Sequence, residues 1–218
     1  MRTIEDIHSK INLVYGKLTE ELPEQKIVVN NLNGDEKVLE IGGNYGRNSC
    51  VIATILNDSS NLVVLESNDD FIPMLKANKN RNLLNFNIEP SALSKRRLIQ
   101  KDLDTKPSEV LETGYKWVST ITYEELLVKY GIIFDTLVLD CEGAFYYILM
   151  DYPYILNNVK LIIMENDYKS LNDYNYVKNK LIENGFIRTY KEDVHHADEN
   201  WKITQPCIDN FFEVWKKP

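Results

Sequence analysis

Long hydrophobic runs are missing from the chain. No apolar stretch approaches the roughly 20 residues that a membrane-spanning helix requires, so no membrane partner is expected. Cysteine is scarce. The three present, Cys50, Cys141 and Cys207, are odd in number, widely spaced and without a CxxC pair, which argues against a disulfide framework and a cysteine zinc site. Cys50 and Cys207 sit in apolar runs and read as small core residues. Such cysteine usage suits a reducing compartment. The opening MRTIEDIHSK is charged and lacks an export signal's apolar stretch, so a cytoplasmic location is expected. Positive charge is also short. The formal net charge is -8, which argues against a chain built to grip a nucleic-acid backbone. The one basic triplet, Lys95-Arg96-Arg97, reads as a solvated turn.

What the chain does have is a core and a rhythm. Hydrophobic residues make up 44% and charged residues 27% of its 218 positions, enough to bury a core in a single domain. Residues 3–22 carry isoleucine, valine and leucine at helical spacing, with Thr3 as N-cap and Pro23 just beyond. KIVVNNL (26–32) reads as a short strand. Residues 1–35 thus form an N-terminal helix and cover segment, and 36–218 the main domain. From residue 37, strands alternate with helices: KVLEI, a helix over 46–56, NLVVLES, a helix over 69–81, then LLNFNI (83–88). Residues 91–121 read as irregular strands and loops. Thr122 and Glu125 form a capping box for a helix ending at Gly131. FDTLVLD (134–140), a helix over 143–156, VKLIIME (159–165) and a helix over 171–185 follow. The chain closes with strands at 186–192 and 207–217.

This alternation predicts an α/β fold: a Rossmann-like, seven-stranded, mostly parallel sheet with a C-terminal antiparallel strand and helices on both faces. That is the arrangement of the class I methyltransferases. In such sheets ligands bind at the carboxyl ends of the strands. There the first strand runs into EIGGNYG (40–46). The loop has no P-loop lysine, and Gly42, Gly43 and Gly46 are not spaced as a dinucleotide motif. Glu40 would repel a phosphate but suits an ammonium. S-adenosylmethionine presents one, and its carboxylate can meet backbone N–H groups at a helix start. Glu66 ends the second strand, where an acid can accept both hydroxyls of an adenosine ribose. The candidate cofactor site is therefore Glu40, Gly42, Gly43, Asn44, Tyr45, Gly46, Glu66 with Ser67 and Asn68 beyond it, Ser91, Ala92 and Leu93 near the adenine, and Asp140.

Over roughly residues 36–168 the landmarks resemble the FkbM family of S-adenosylmethionine-dependent methyltransferases. EIGGNYG is similar to that family's first motif, Glu66 in VVLES to its second-strand acid, and SALS (91–94) to its small-residue turn. TITYEEL (120–126), DCEG (140–143) and IIMEND (162–167) follow in the family's order. Val138, Phe145 and Gly43 depart from the pattern, so roles of those side chains do not transfer. The resemblance implies O-methylation of a hydroxyl on a sugar, glycan or other small molecule, with glycosyltransferase domains as neighbours in some members. The chain lacks the NPPY- or PCQ-type motif of base-flipping enzymes.

A sugar hydroxyl is a poor nucleophile and needs a base or a metal. Asp140 and Glu142 straddle the end of the fourth main strand and are the candidate catalytic acids. Asp140 with Glu165 and Asn166 offers oxygen ligands suited to Mg²⁺ or Mn²⁺, as in catechol O-methyltransferase. Without metal, Asp140 or Glu142 would act as base or orient the acceptor; Glu142 could instead cap the next helix. His195, beside His196 in the last loop, is a third catalytic candidate. Trp201 or Tyr168 could stack on a sugar. Two other readings stay open: a non-catalytic S-adenosylmethionine-binding module, and a methyltransferase for a phenol or an amine.

Overall fold

A computed structural model describes residues 2–194 and 206–218. Its strands are β1 (Val38–Ile41), β2 (Leu62–Leu65), β3 (Asn87–Glu89), β4 (Ala92–Leu93), β5 (Leu98–Lys101), β6 (Asp104–Pro107), β7 (Lys116–Val118), β8 (Thr120–Ile121), β9 (Thr136–Leu139), β10 (Leu161–Glu165), β11 (Ile187–Glu192) and β12 (Phe212–Lys216). Its helices are α1 (Ile4–His8), α2 (Leu22–Asn31), α3 (Arg47–Ile55), α4 (Ile72–Arg81), α5 (Tyr123–Tyr130), α6 (Phe145–Asp151) and α7 (Leu171–Glu183). Seven strands form the main sheet in the order β11-β12-β10-β9-β1-β2-β3. Only β12 runs against its neighbours, pairing antiparallel with both β10 and β11.

The central parallel strands are buried on both faces. β1, β2 and β9 are buried at every position, because each face of the sheet meets its own layer of helices. Leu39, Val63, Leu137 and Ile162 join α5, α6 and α7 in one core. Val38, Val64, Val138 and Ile163 join α1, α2, α3 and α4 in the other. The register aligns Ile41 with Leu65 and with Leu139, and Leu139 with Met164. Gly42, Glu66, Asp140 and Glu165 consequently leave the sheet along one edge. The chain runs from β1 outward to β3 and later returns to β9 on the other side of β1. The gap between β1 and β9 is therefore the switch point where open sheets take ligands.

The N-terminal segment departs from expectation. The helix foreseen over 3–22 ends at His8. Beyond it the backbone is held by side chains instead of its own ladder. The buried Asn78 accepts from the N–H groups of Val14 and Tyr15 at 2.6 and 3.1 Å and donates to the carbonyls of Tyr15 and Tyr45 at 2.9 and 2.7 Å. The strand foreseen over 26–32 is helix α2, with Pro23 in its first turn, where a missing N–H costs nothing. Its Ile27 and Val28 are β-branched, but packing on α3 and the sheet overrides that preference. Pro153 also cuts the helix foreseen over 143–156, leaving α6 and a 3₁₀ turn at Pro153–Leu156. The third strand lies slightly later than foreseen, at Asn87–Glu89. Residues 91–121 hold a parallel pair, β4–β8, and a three-stranded antiparallel sheet, β6-β5-β7. The capping box at Thr122 and Glu125 is present with both bonds. Among the described residues no helix is long and apolar enough to cross a membrane.

Asn78 ties the N-terminal segment to the glycine loop through the Tyr45 carbonyl. Replacing it with alanine leaves up to four backbone groups without that partner. Asn78→Ala is expected to lower unfolding stability by roughly 2–4 kcal/mol, read from urea titrations, with the slope unchanged.

Candidate functional site

The edge described above opens into a cleft of about 1230 Å³ including its mouth. It is lined by the glycine loop, by the ends of β2, β9 and β10, by residues 91–94 after β3, and by β5 and β6 of the small sheet. Of the expected cofactor residues, Gly42, Asn44, Glu66, Ser67, Ser91, Ala92, Leu93 and Asp140 line it. Gly43, Tyr45, Gly46 and Asn68 stand behind that wall.

The glycines are required by packing. A Cβ at Gly42, whose φ is +97°, would lie 1.6 Å from the Asp140 carbonyl oxygen. At Gly43 it would meet Val64 at 2.4 Å, and at Gly46 the Leu75 side chain at 2.3 Å. The loop is thus pressed between β9, β2 and α4, which leaves no room for a side chain at these three positions. Tyr45 packs edge-on against Phe71 at 5.0 Å, with the Arg47 guanidinium over its ring.

Glu66 holds this arrangement together. One carboxylate oxygen accepts the Asn44 N–H at 2.7 Å and the other the Asn68 N–H at 2.7 Å. Each oxygen keeps a further lone pair, and the residue faces the cleft, so two ligand hydroxyls fit it. Burial raises its pKa, and the backbone N–H groups oppose that rise. Ser91 gives its hydroxyl to Glu89 at 2.6 Å. Ser67 accepts the Gln100 amide at 3.2 Å, while the Gln100 carbonyl oxygen is buried without a partner.

Glu40 lies beneath the loop, 2% exposed, and does not line the cleft. Its Oε2 has no hydrogen-bond partner. Burial pushes its carboxyl up to about 8. Behind Asp140 the structure gathers more acids than the sequence reading expected. Carboxylate oxygens of Asp140, Glu165 and Asp167 lie within 4.8 Å of one another, as do those of Glu21, Glu24 and Asp140. Burial pushes Glu24 up to about 7 and holds Asp140 and Glu165 well above the usual carboxylate range; neighbouring acids add to all three. Asn166 turns away from this group: its Nδ2 donates to the Asn210 carbonyl at 2.6 Å. Glu24 was missed because it falls between the helix expected to end at residue 22 and the strand expected from residue 26; Pro23 followed by an acid in a first helical turn was the available signal.

Glu142 has a φ of +52° and sits at the cleft mouth. It does not cap α6, whose N-cap Ala144 has no side-chain bond. Its surface is open, yet the surrounding walls displace water, and with Asp167 nearby its carboxyl rises to about 7. The basic triplet is no free turn. Arg96 makes a bidentate pair with the buried Asp151 at 2.8 and 2.6 Å, and Arg97 lies 4.1 Å over Trp117. Tyr168 is 2% exposed and cannot stack on a sugar. His195, His196 and Trp201 lie outside the described residues. Cys50 and Cys207 are buried as expected.

Solved structures share this architecture. The precorrin-6y C5,15-methyltransferase of Geobacter metallireducens GS-15 superposes with a TM-score of 0.56 at 12% identity, over 96% of this chain and 95% of that one. An O-methyltransferase from Bacillus cereus, solved in complex with S-adenosylhomocysteine (SAH), gives 0.53 at 14% identity, over 98% and 90%. The ribosomal protein L11 methylase of Lactobacillus delbrueckii subsp. bulgaricus gives 0.51 at 10% identity, over 94% and 82%. The chain has the fold of the Rossmann-like methyltransferases. Their names span a precorrin, a ribosomal protein and O-methylation, so this fold does not select an acceptor. No family model matches the sequence, and no curated protein matches it significantly.

The buried acids carry a consequence for stability. Glu24 and Glu40 rise from 4.5 to about 7 and about 8 on folding. The folded chain therefore holds protons that the unfolded chain has released, and the stability they contribute is lost as pH rises through those values. The melting temperature of the free protein should fall between about pH 5 and about pH 8.5. Glu40→Gln should flatten the upper part of that decline, as followed by thermal unfolding across buffers.

Proposed function

We propose that this chain is an S-adenosylmethionine-dependent methyltransferase acting on a hydroxyl of a sugar or similar small molecule. The observation that carries the cofactor is Glu66, whose carboxylate clamps the glycine loop and still faces the cleft. Glu66 would hold the ribose, Ala92 and Leu93 would flank the adenine, and Gly42, Asn44 and Asp140 would border the methionine end. When bound, the sulfonium supplies an already activated methyl group. The acceptor class rests on the motif resemblance to FkbM proteins.

What remains for the chain itself is alignment and proton removal. Glu142 suits proton removal, because it lines the cleft and titrates near neutral pH, where a base is both available and strong enough to act. Asp140 stands at the same strand end and orients the acceptor. A second reading is favoured by the carboxylate triad. Asp140, Glu165 and Asp167 fit a divalent cation such as Mg²⁺ or Mn²⁺, with Asp167 in place of the expected Asn166. Such an ion would lower the pKa of an acceptor hydroxyl. An amine acceptor also suits a cleft bordered by Glu21, Glu24, Asp140, Glu142 and Glu165.

Calorimetric titration of SAH should give saturable binding that Glu66→Ala abolishes; no binding to the native chain would refute the reading. In acceptor screens, transfer should rise with pH through about 7, and Glu142→Gln should lower kcat by about 10²–10⁴-fold and remove that rise. Transfer that persists in EDTA supports Glu142 as the base. Transfer that requires Mn²⁺ and is lost in Asp167→Asn supports the cation reading.

A further inference from the structure

The inserted sheet β6-β5-β7 brings to the cleft a buried amide that no role yet explains. Gln100, on β5, is 4% exposed and lines the cleft. Its Nε2 donates to the Ser67 hydroxyl at 3.2 Å. Its Oε1 is buried and accepts nothing. A carbonyl oxygen left so is costly unless a ligand brings a donor. The sheet is fixed over this spot by a second contact, Lys116 of β7 donating to the Asn68 side chain at 3.1 Å.

The position names the donor. Ser67 and Asn68 directly follow Glu66, on the β2 and β3 side of the cleft, away from Asp140. We infer that Gln100 reads the adenine base of the cofactor: its Oε1 accepts the exocyclic amino N–H, and Ser67 holds the amide in that orientation. The inference rests on the methyltransferase reading above. Other donors of the cofactor have partners elsewhere: the ribose hydroxyls meet Glu66, and the ammonium lies toward Asp140 at the opposite end. Gln100 is then a specificity residue contributed by an insertion and not by the main sheet. It selects adenine over a base carrying a carbonyl oxygen at that position, because two acceptors would face each other in a dry site.

The test is calorimetry on the full chain with SAH and with S-inosylhomocysteine, for the native protein, Gln100→Leu and Gln100→Glu. The native chain should bind SAH at least about tenfold more tightly than the inosine analogue. Gln100→Leu should weaken SAH about tenfold and erase the preference. Gln100→Glu keeps an acceptor and should retain the preference. The melting temperature of ligand-free Gln100→Leu should be unchanged or higher, since an unpaired buried oxygen is removed. A merely structural Gln100 gives the reverse, a lower melting temperature with SAH affinity intact, and that result overturns the inference. Equal binding of both ligands by the native chain overturns it too, while leaving the cofactor reading standing. Failure of SAH to bind the native chain removes both.

Discussion

Two backbone hydrogen bonds accepted by one carboxylate organise the cleft edge of this molecule. Glu66 accepts the Asn44 N–H on one oxygen and the Asn68 N–H on the other, so the loop after β1 and the loop after β2 are fixed to a single group. Bonds to a charged acceptor are stronger than neutral ones, and these lie in a largely dry site. The Asn44 end matters most, because Asn44 adopts a positive φ between Gly43 and Gly46, where the chain is most crowded. With Asn44 held, Gly42 can press against the Asp140 carbonyl and α3 can start at Arg47. The depth of the cleft follows from that closeness.

Around this clamp the protein concentrates negative charge. Glu24, Glu40, Asp140, Glu142, Glu165 and Asp167 all titrate above their ordinary range, mainly through burial. Arg47 pairs directly with the outer acids Glu20 and Glu21 and acts on Glu24 only through the weaker attraction that partly opposes its rise. Arg96 is committed to Asp151. Like charges held this close share protons or attract a cation. The protonation of this group of acids thus depends on pH and on what is bound. The arrangement has a structural cost, which the compensating packing of two full cores offsets.

The main sheet was legible because its strands are short, apolar and separated by helical periodicity. The antiparallel β12 was legible because no helix pattern fits between residues 193 and 206. The positions of Glu66, Asp140 and Glu165 at strand ends were legible because the strands themselves were. The N-terminal region misled for a physical reason: Ile27 and Val28 carry strand preference, whereas α2 exists through burial against α3 and the sheet, which no local pattern encodes. Glu24 was lost because the true start of α2, at Leu22, was read as the end of the preceding helix. Gln100 and the Arg96–Asp151 pair were hidden in residues 91–121, where strands of two to four residues leave little periodicity to read. At the glycine loop, contacts with Asp140, Val64 and Leu75 are what exclude a side chain, and those partners are distant in sequence.

The most direct measurement is a crystal structure of the full chain grown with SAH. The account predicts a ribose hydrogen-bonded to Glu66, with the adenine beside Ala92 and Leu93 and the homocysteine sulfur directed toward Asp140 and Glu142. Ligand density elsewhere on the protein, or a ribose that leaves Glu66 untouched, would contradict it.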